Sequence, residues 1–416
     1  MSRIDELIAE LCPDGVPFKP LGEIGELVRG GGMPKADFTE AGVGAIHYGQ
    51  IYTHYGTWTT ETISFVSPDT AARLAKVDPG DVIITNTSEN LEDVGKAVAW
   101  LGGEKIVTGG HATVLKHSQN CKFIAYWLQT PAFFAQKKKL ATGTKVIDVS
   151  AKALAKIEIP VPPLEVQREI VRILDLFASL EAELEAELEA RRRQYAHYNR
   201  LVLAEAAGGD GWRRCRLREV CDILVGFPFK SAEFSPHPSD VRLVRGDNIG
   251  QGFLKRGEFK RWRRSVSDGL SRYELQTSDV VLAMDRPWIP AGLKWARIEA
   301  RDLPALLVQR VACLRSKPEV LNQQYLGHVI SSGGFTEHVL SVQTGNTVPH
   351  LSERSIAGFL LPVPPLEDQA RIVAILDKFD ALVNDLSVGL PAELAARRKQ
   401  YEHYRDRLLT FEEAVA

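Results

Sequence analysis

The chain has few residues at the spacings that catalysis requires. Methyl transfer to a base amine would need an Asn/Asp-Pro-Pro-aromatic loop and a glycine-rich cofactor turn after a strand. Neither occurs in the 416 residues. The two VPPL strings set Val and Leu beside their prolines, and these side chains cannot hydrogen-bond an exocyclic amine. GGGMPK (Gly30–Lys35) is glycine-rich but lacks the GK[ST] ending of a phosphate-binding loop, so it reads as a turn. Acidic residues are many, yet none forms a distinctive cluster with a lysine of the kind a metal-dependent nuclease uses. His111 and His350 stand alone and are expected to be hydrogen-bonded structural residues. Cys12, Cys121, Cys215, Cys221 and Cys313 are scattered without metal-ligand spacing. No catalytic and no metal-ligating residue is assigned. The odd, dispersed cysteines fit a reducing compartment.

What remains is a chain built to position surfaces. Its length predicts two to four units. With 44% hydrophobic and 25% charged residues, the composition is that of a soluble globular protein. The net charge of −2 supplies no global attraction to nucleic acid or to an anionic membrane. The opening MSRIDELIAEL has no apolar signal core, and no run approaches a membrane span, so a cytoplasmic protein is expected.

The strongest organising signal is a duplication. IPVPPLE at Ile159–Glu165 returns as LPVPPLE at Leu361–Glu367, 202 positions on (361 − 159). Gln167, Ile170, Ile173, Leu174, Asp175 and Phe177 recur as Gln369, Ile372, Ile375, Leu376, Asp377 and Phe379. TGTKVIDVS from Thr142 matches TGNTVPHLS from Thr344 at the same shift, and RRRQYAHY from Arg191 matches RRKQYEHY from Arg397. More weakly, PGDVIITN from Pro79 resembles TSDVVLAM from Thr277, and LGEIGELVRGG from Leu21 resembles LREVCDILVGF from Leu217. Each half is thus a divergent, strand-rich region followed by a faithfully repeated helical one.

The repeated region predicts a long helix. Pro162 and Pro163 precede Leu164 and Glu165, placing proline in the first turn and an acid near the positive helix end. Ile170, Ile173, Leu174, Phe177, Leu180, Leu184 and Leu188 then make one apolar stripe at spacings of three and four. A helix from about 164 to 203 would be roughly 60 Å long. It needs a partner helix, for which its own repeat copy is the natural candidate. The second copy carries four extra residues around SVGLPAEL (Ser387–Leu394), where Gly389 and Pro391 should break the helix.

With its twin PVPPLExQ segments and twin RR[RK]QYxHY segments, each following a divergent region that ends in the TG motif, the chain resembles specificity subunits of type I restriction-modification systems. The resemblance covers essentially its whole length. It implies an α+β fold of two pseudo-twofold-related halves, each a β-rich target-recognition domain followed by a long helix, with the two helices packed as an antiparallel coiled coil. The expected divisions are recognition domains at 1–158 and 208–360, with spacer helices at 159–207 and 361–416. It further implies recognition of an asymmetric, bipartite double-stranded DNA. Two methyltransferase subunits would dock on the frame, and two restriction/translocase subunits in the full enzyme. No cofactor is expected on this chain; S-adenosylmethionine, ATP and magnesium would belong to the partners. The helix in Ile4–Leu11 is expected to close the arrangement beside the C-terminal segment.

Base reading needs Arg or Lys for guanine and Asn or Gln for adenine, with phosphate contacts fixing register. On that basis the DNA-facing candidates in the first half are Lys35, Tyr48, Gln50, Tyr52, Asn86, Lys138, Thr144 and Lys145. Those in the second are Arg245, Asn248, Arg286, Arg310, Asn346 and Thr347, with Arg286 preferred among the residues after the DVVLA run. Lys137–Lys139 and Lys260, Arg261, Arg263 and Arg264 are basic runs suited to phosphates. The partner-facing candidates are Arg191, Arg192, Tyr195, Tyr198, Arg397, Arg398, Tyr401 and Tyr404, for which helix-to-helix packing is the competing role. Two other readings are a coiled-coil scaffold that binds no specific DNA and an enzyme with its own active site. Divergence between the halves tells against the first, and the missing motifs against the second.

Overall fold

The computed structural model describes residues 3–208, 212–255, 257–263, 269–345, 349–384 and 389–414. Two compact units result, one of Met1–Glu183 with Leu394–Ala416 and one of Leu184–Glu393. Four helices carry the frame: α1 (Arg3–Leu11), α2 (Leu164–Gly208), α3 (Leu366–Asn384) and α4 (Leu390–Leu408). Residues 1–158 fall in the first unit and 208–360 in the second, and only the repeated helical regions are divided between the units. Each takes the start of one repeated helix together with the end of the other.

The first unit is centred on a five-stranded sheet of β1 (Gly25–Arg29), β2 (Trp58–Thr59), β3 (Val82–Thr85), β4 (Ala97–Trp100) and β5 (Ala112–His117), in the order β1-β5-β3-β4-β2. In the second unit β6 (Cys221–Val225), β7 (Gln251–Gly252), β8 (Val280–Ala283), β9 (Trp295–Arg297) and β10 (Val311–Ser316) follow the corresponding order β6-β10-β8-β9-β7. The β4–β2 and β9–β7 pairs are parallel, and all the other pairs in these sheets are antiparallel. The duplication thus extends through the strand-rich regions, although little of their sequence is repeated. The second sheets differ. Among the described residues the first unit has five strands there, and the second unit has three.

Strand β3 is buried along its whole length because both faces are covered. Val82 and Ile84 join a core with Phe123, Tyr126, Trp127, Phe133, Ile170 and Leu174, whereas Ile83 packs on the other side with Ile46, Val98 and Val114. In β8, Val280 and Leu282 face one core while Val281 and Ala283 face another.

The helices between sheet and frame start where the sequence supplies caps, and the caps repeat at 202 residues. Asn120, Thr130 and Ser150 accept backbone N–H groups at three helix starts, as do Asn322, Ser332 and Ser352. The repeated glutamines tie α2 and α3 to those caps. Gln167 Oε1 accepts the Asn120 N–H at 3.0 Å while its Nε2 donates to Pro162 O at 2.8 Å. Gln369 Oε1 accepts the Asn322 N–H at 2.7 Å while its Nε2 donates to Pro364 O at 2.7 Å.

Helix α2 has 45 residues, or about 66 Å at 1.5 Å per residue. Its apolar stripe is buried at Ile170, Leu174 and Leu188, but Leu180 is 41% exposed, so the stripe is interrupted there. α3 ends at Asn384 and α4 begins at Leu390 with Pro391 in its first turn; Asp385–Val388 lie outside the described residues. Within the first unit, Val16 N donates to Glu412 O and Ala414 N to Val16 O, and Ile4 shares a core with Leu409. The expected pairing of N-terminal and C-terminal segments is present. Among the described residues no helix is long and apolar enough to cross a membrane.

Candidate nucleic-acid interface

In both units, a junction at one end of the central sheet joins the segments of greatest interest. After β3, Thr87 pairs with Asp148, and Thr142 and Asp148 exchange backbone hydrogen bonds of 2.9 and 2.8 Å. These close a loop that carries Gly143 at φ +95° and the exposed Thr144, Lys145 and Val146. After β8, Asp285 bridges to His350, and Thr344 and His350 exchange bonds of 3.0 and 2.8 Å, with Gly345 at φ +87°. Two further pairs of bonds complete the match. Asn86 N donates to His111 O as Met284 N does to Arg310 O, and Val149 N donates to Asn86 O as Leu351 N does to Met284 O. Asn346 and Thr347, both expected to face DNA, lie outside the described residues, as does Arg264.

Side-chain chemistry at the two junctions differs. In the first unit, Thr87 Oγ1 lies 3.0 Å from His111 Nδ1, and the His111 ring sits 4.9 Å from that of Tyr48. In the second, Asp285 accepts from Arg310 Nη1 and from His350 Nδ1, each at 2.5 Å. Burial pushes the Asp285 carboxyl up, but the hydrogen bonds from His350 and Arg310 outweigh it and leave the group below its ordinary value. Arg286 is exposed beside this cluster. Both isolated histidines are thus hydrogen-bonded.

Several candidates turn out to be framework. Asn86 is fully buried; its Nδ2 donates to Val149 O and its Oδ1 accepts from Thr113, so no part of the amide is left for a base. Gln50 accepts the His47 N–H and donates to Ser64, which spends its amide on the start of the helix Tyr48–Thr53. Asn248 is buried, and its Oδ1 accepts the Arg245 N–H. Lys137 is buried with its Nζ on Val94 O and Glu92 O, and burial pulls its ammonium down to about 8. These four side chains are engaged within the fold rather than held out free for the DNA contact expected from sequence. At the start of the GGGMPK turn Gly30 is packed, since a Cβ there would lie 2.6 Å from Thr108 O, whereas Gly32 has open space around it.

Other candidates stay accessible. Lys35, Lys138, Thr144, Lys145, Arg286 and Arg310 are exposed, whereas Tyr48, Tyr52 and Arg245 are half-buried. Arg245 Nη2 reaches Asp247 at 3.3 Å. In the basic runs, Lys139, Lys260 and Arg263 are exposed, and Arg261 donates to Asp240 O. Sequence reasoning missed Thr87 and Asp285, whose partners His111 and His350 lie 24 and 65 residues away. The only available signal was their common position just after matching strands.

The partner-facing set is largely engaged in joining helices. In the first unit the ring of Tyr404 stacks on Phe177 at 5.3 Å, and Arg398 Nε donates to Glu181 at 2.6 Å. Moving up α2 therefore means moving down α4, which is antiparallel packing. In the second unit Tyr198 stacks on Phe379 at 5.6 Å. It is the same aromatic pair with the two repeats exchanged. Tyr195 approaches His328 at 3.4 Å, and burial pushes Tyr195 and Tyr401 up to about 12. Arg191 reaches Glu187 and Gln194, and Arg397 reaches Gln400. Arg192 is exposed.

Known proteins agree with this arrangement. The family described as "Type I restriction modification DNA specificity domain" matches residues 13–190 and again 209–396. The specificity subunit of the type I restriction enzyme EcoR124I/EcoR124II from Escherichia coli is 33% identical over 306 residues, covering 70% of each chain. Among solved structures, a chain from work on assembly and conformational transition of the type I R-M system superposes with a TM-score of 0.62 at 18% identity, covering 95% of this chain and 98% of that one. The type I S subunit from M. genitalium superposes at 0.53 and 13% identity, covering 95% and 96%. This chain belongs to the type I restriction-modification DNA specificity family.

Proposed function

We propose that the chain recognises an asymmetric, bipartite double-stranded DNA target, one half-site for each recognition domain. It docks two methyltransferase subunits and, in the full enzyme, two restriction/translocase subunits. The chain itself is not catalytic and holds no cofactor. S-adenosylmethionine, ATP and magnesium act in the partners, in the cytoplasm. Residues 1–158 and 208–360 are the recognition domains of this proposal, with 159–207 and 361–416 as spacers.

The observation that carries the reading is the pair of junctions, which share backbone hydrogen bonds and differ in side chains. Two readers of unlike sequences need that combination, because docking geometry must be common while base contacts must not be. A symmetric scaffold would have no use for the difference. Methylation mapping of cells that express the chain with its methyltransferase tests the reading. The expected result is one motif of two unlike half-sites with a fixed gap, in which replacement of residues 20–150 changes one half only. A continuous motif, no motif, or a change in both halves refutes it.

A further inference from the structure

Among the described residues, three that are not glycine have positive φ, and two of them are Arg286 (+47°) and Arg310 (+65°). A residue with a Cβ enters that region against a steric cost and stays there only when its surroundings hold it. The holding contacts are visible. Arg286 N donates to Pro349 O at 2.9 Å, Met284 N to Arg310 O at 2.9 Å, and Asp285 grips both the Arg310 guanidinium and the His350 ring. Yet the Arg310 side chain is 70% exposed and that of Asp285 only 21%. A strained backbone and a half-buried carboxylate thus present two cationic forks to solvent. The matching place in the first unit has no such pair of arginines, since Ser88 is buried and Thr87 pairs with His111.

We infer that Arg286 and Arg310 are the guanine-reading pair of the second unit, and that Asp285 and His350 are positioning residues that fix their aim. The inference rests on the proposed function and deepens it. Guanine offers O6 and N7 as adjacent acceptors in the major groove, and a guanidinium meets both with two parallel N–H donors. One Nη of Arg310 is committed to Asp285, and the remaining donors of the five a guanidinium carries are enough for a base edge. Tethering lowers the ordering cost of binding, which a free surface arginine would incur in full. The first unit should read its half-site through different chemistry, with Thr87, His111 and Tyr48 around the same backbone frame.

The test uses the assembled complex of this chain with its methyltransferase and its mapped target. Each guanine of the target is replaced in turn by 7-deazaguanine, which lacks the N7 acceptor. The expected result is a loss of affinity on the order of tenfold to a hundredfold at one or two guanines of the half-site not altered by replacing residues 20–150. Arg286→Met and Arg310→Met keep the length of the side chain, remove its donors and should abolish that sensitivity, with sensitivities in the other half-site unchanged. Asp285→Asn and His350→Gln should narrow the ratio of affinities for the target and for a duplex mutated at that guanine. A purely structural role would weaken both duplexes alike. A half-site without a G·C pair, Met variants with wild-type discrimination, or a uniform loss across all duplexes with a shallower salt slope overturns the inference. In each of those cases a bipartite target leaves the proposed function standing. Absence of a bipartite target in the wild type refutes both.

Discussion

The repeated glutamine gives the chain its most calculable vulnerability. Gln167 is fully buried and makes three bonds, accepting the Asn120 N–H and donating to Pro162 O and Gln119 Oε1. Gln167→Met keeps the volume and removes all three. The Gln119 side chain is half-buried and can turn to water, but the Pro162 carbonyl is buried and the Asn120 N–H partly so. Leaving a buried polar group without its partner costs about 1–3 kcal/mol, so the substitution should destabilise the first unit by about 2–4 kcal/mol. If amides there exchange through opening of the unit, that is roughly a 30- to 1,000-fold acceleration.

Hydrogen exchange measured on peptides covers this directly. In Gln167→Met, amides of the helix Cys121–Trp127 should accelerate by that factor while those of Gln323–Ile330 stay as they were. Gln369→Met should do the reverse, and slightly more, because Gln369 Nε2 also donates to Val320 O. An acceleration below about fivefold would show that water or a rearranged Gln119 replaces the lost bonds. Equal acceleration in both helices would refute the assignment of each glutamine to its own unit.

Further predictions concern charge, packing and spacing. Burial holds the Lys137 ammonium at about 8 in the folded chain, below the unfolded value near 10.5, so between those pH values the unfolded state binds more protons and stability rises with pH. From pH 7.5 to 9.5 the unfolding free energy of the wild type in urea titrations should therefore gain on that of Lys137→Met by roughly 2 kcal/mol; a constant difference contradicts the buried ammonium. A double-mutant cycle of Phe177→Leu and Tyr404→Leu should give a coupling of about 0.5–1.5 kcal/mol for the stacked pair, and a coupling near zero rejects it. Adding one LEAE unit between Leu180 and Glu187 extends the helix by roughly 6 Å and turns it about 40° past a full rotation. A DNA base pair advances about 3.4 Å and turns about 35°. Methylation mapping should find the gap widened by about one base pair, and an unchanged gap rejects the helix as a ruler.

Local features were the legible ones. The PVPPLE strings marked the starts of α2 and α3, and Gly389 with Pro391 announced the interruption between α3 and α4. The sheet order was not legible, because β1 pairs with β5 across more than eighty residues and nothing local encodes that choice. The reading residues suffered from the same limit. Asn86, Gln50 and Asn248 stand at strand or turn ends with side chains suited to a base, and that is also the equipment a buried cap or cross-strand brace requires. Which role applies depends on partners such as Val149, 63 positions from Asn86.

Repeated letters are therefore a weaker guide to the frame than repeated bonds. Tyr126 and His328 occupy equivalent places, 202 residues apart (328 − 126), and share no chemistry beyond a polar ring tip. Yet Tyr126 Oη donates to Asp175 at 2.8 Å and His328 Nε2 meets Asp377 at 2.7 Å. Burial drives the His328 imidazole toward its neutral form, in which one ring nitrogen still donates, so the bond survives the change of residue. Selection on such a site acts on the bond that fixes the helix to the domain. At the junctions the opposite holds, for the backbone bonds persist while Thr87 and His111 are exchanged for Asp285 and Arg310. A position where side-chain bonds are conserved through substitution belongs to the frame. A position where they change while the backbone does not is where a new DNA specificity can arise without rebuilding the fold.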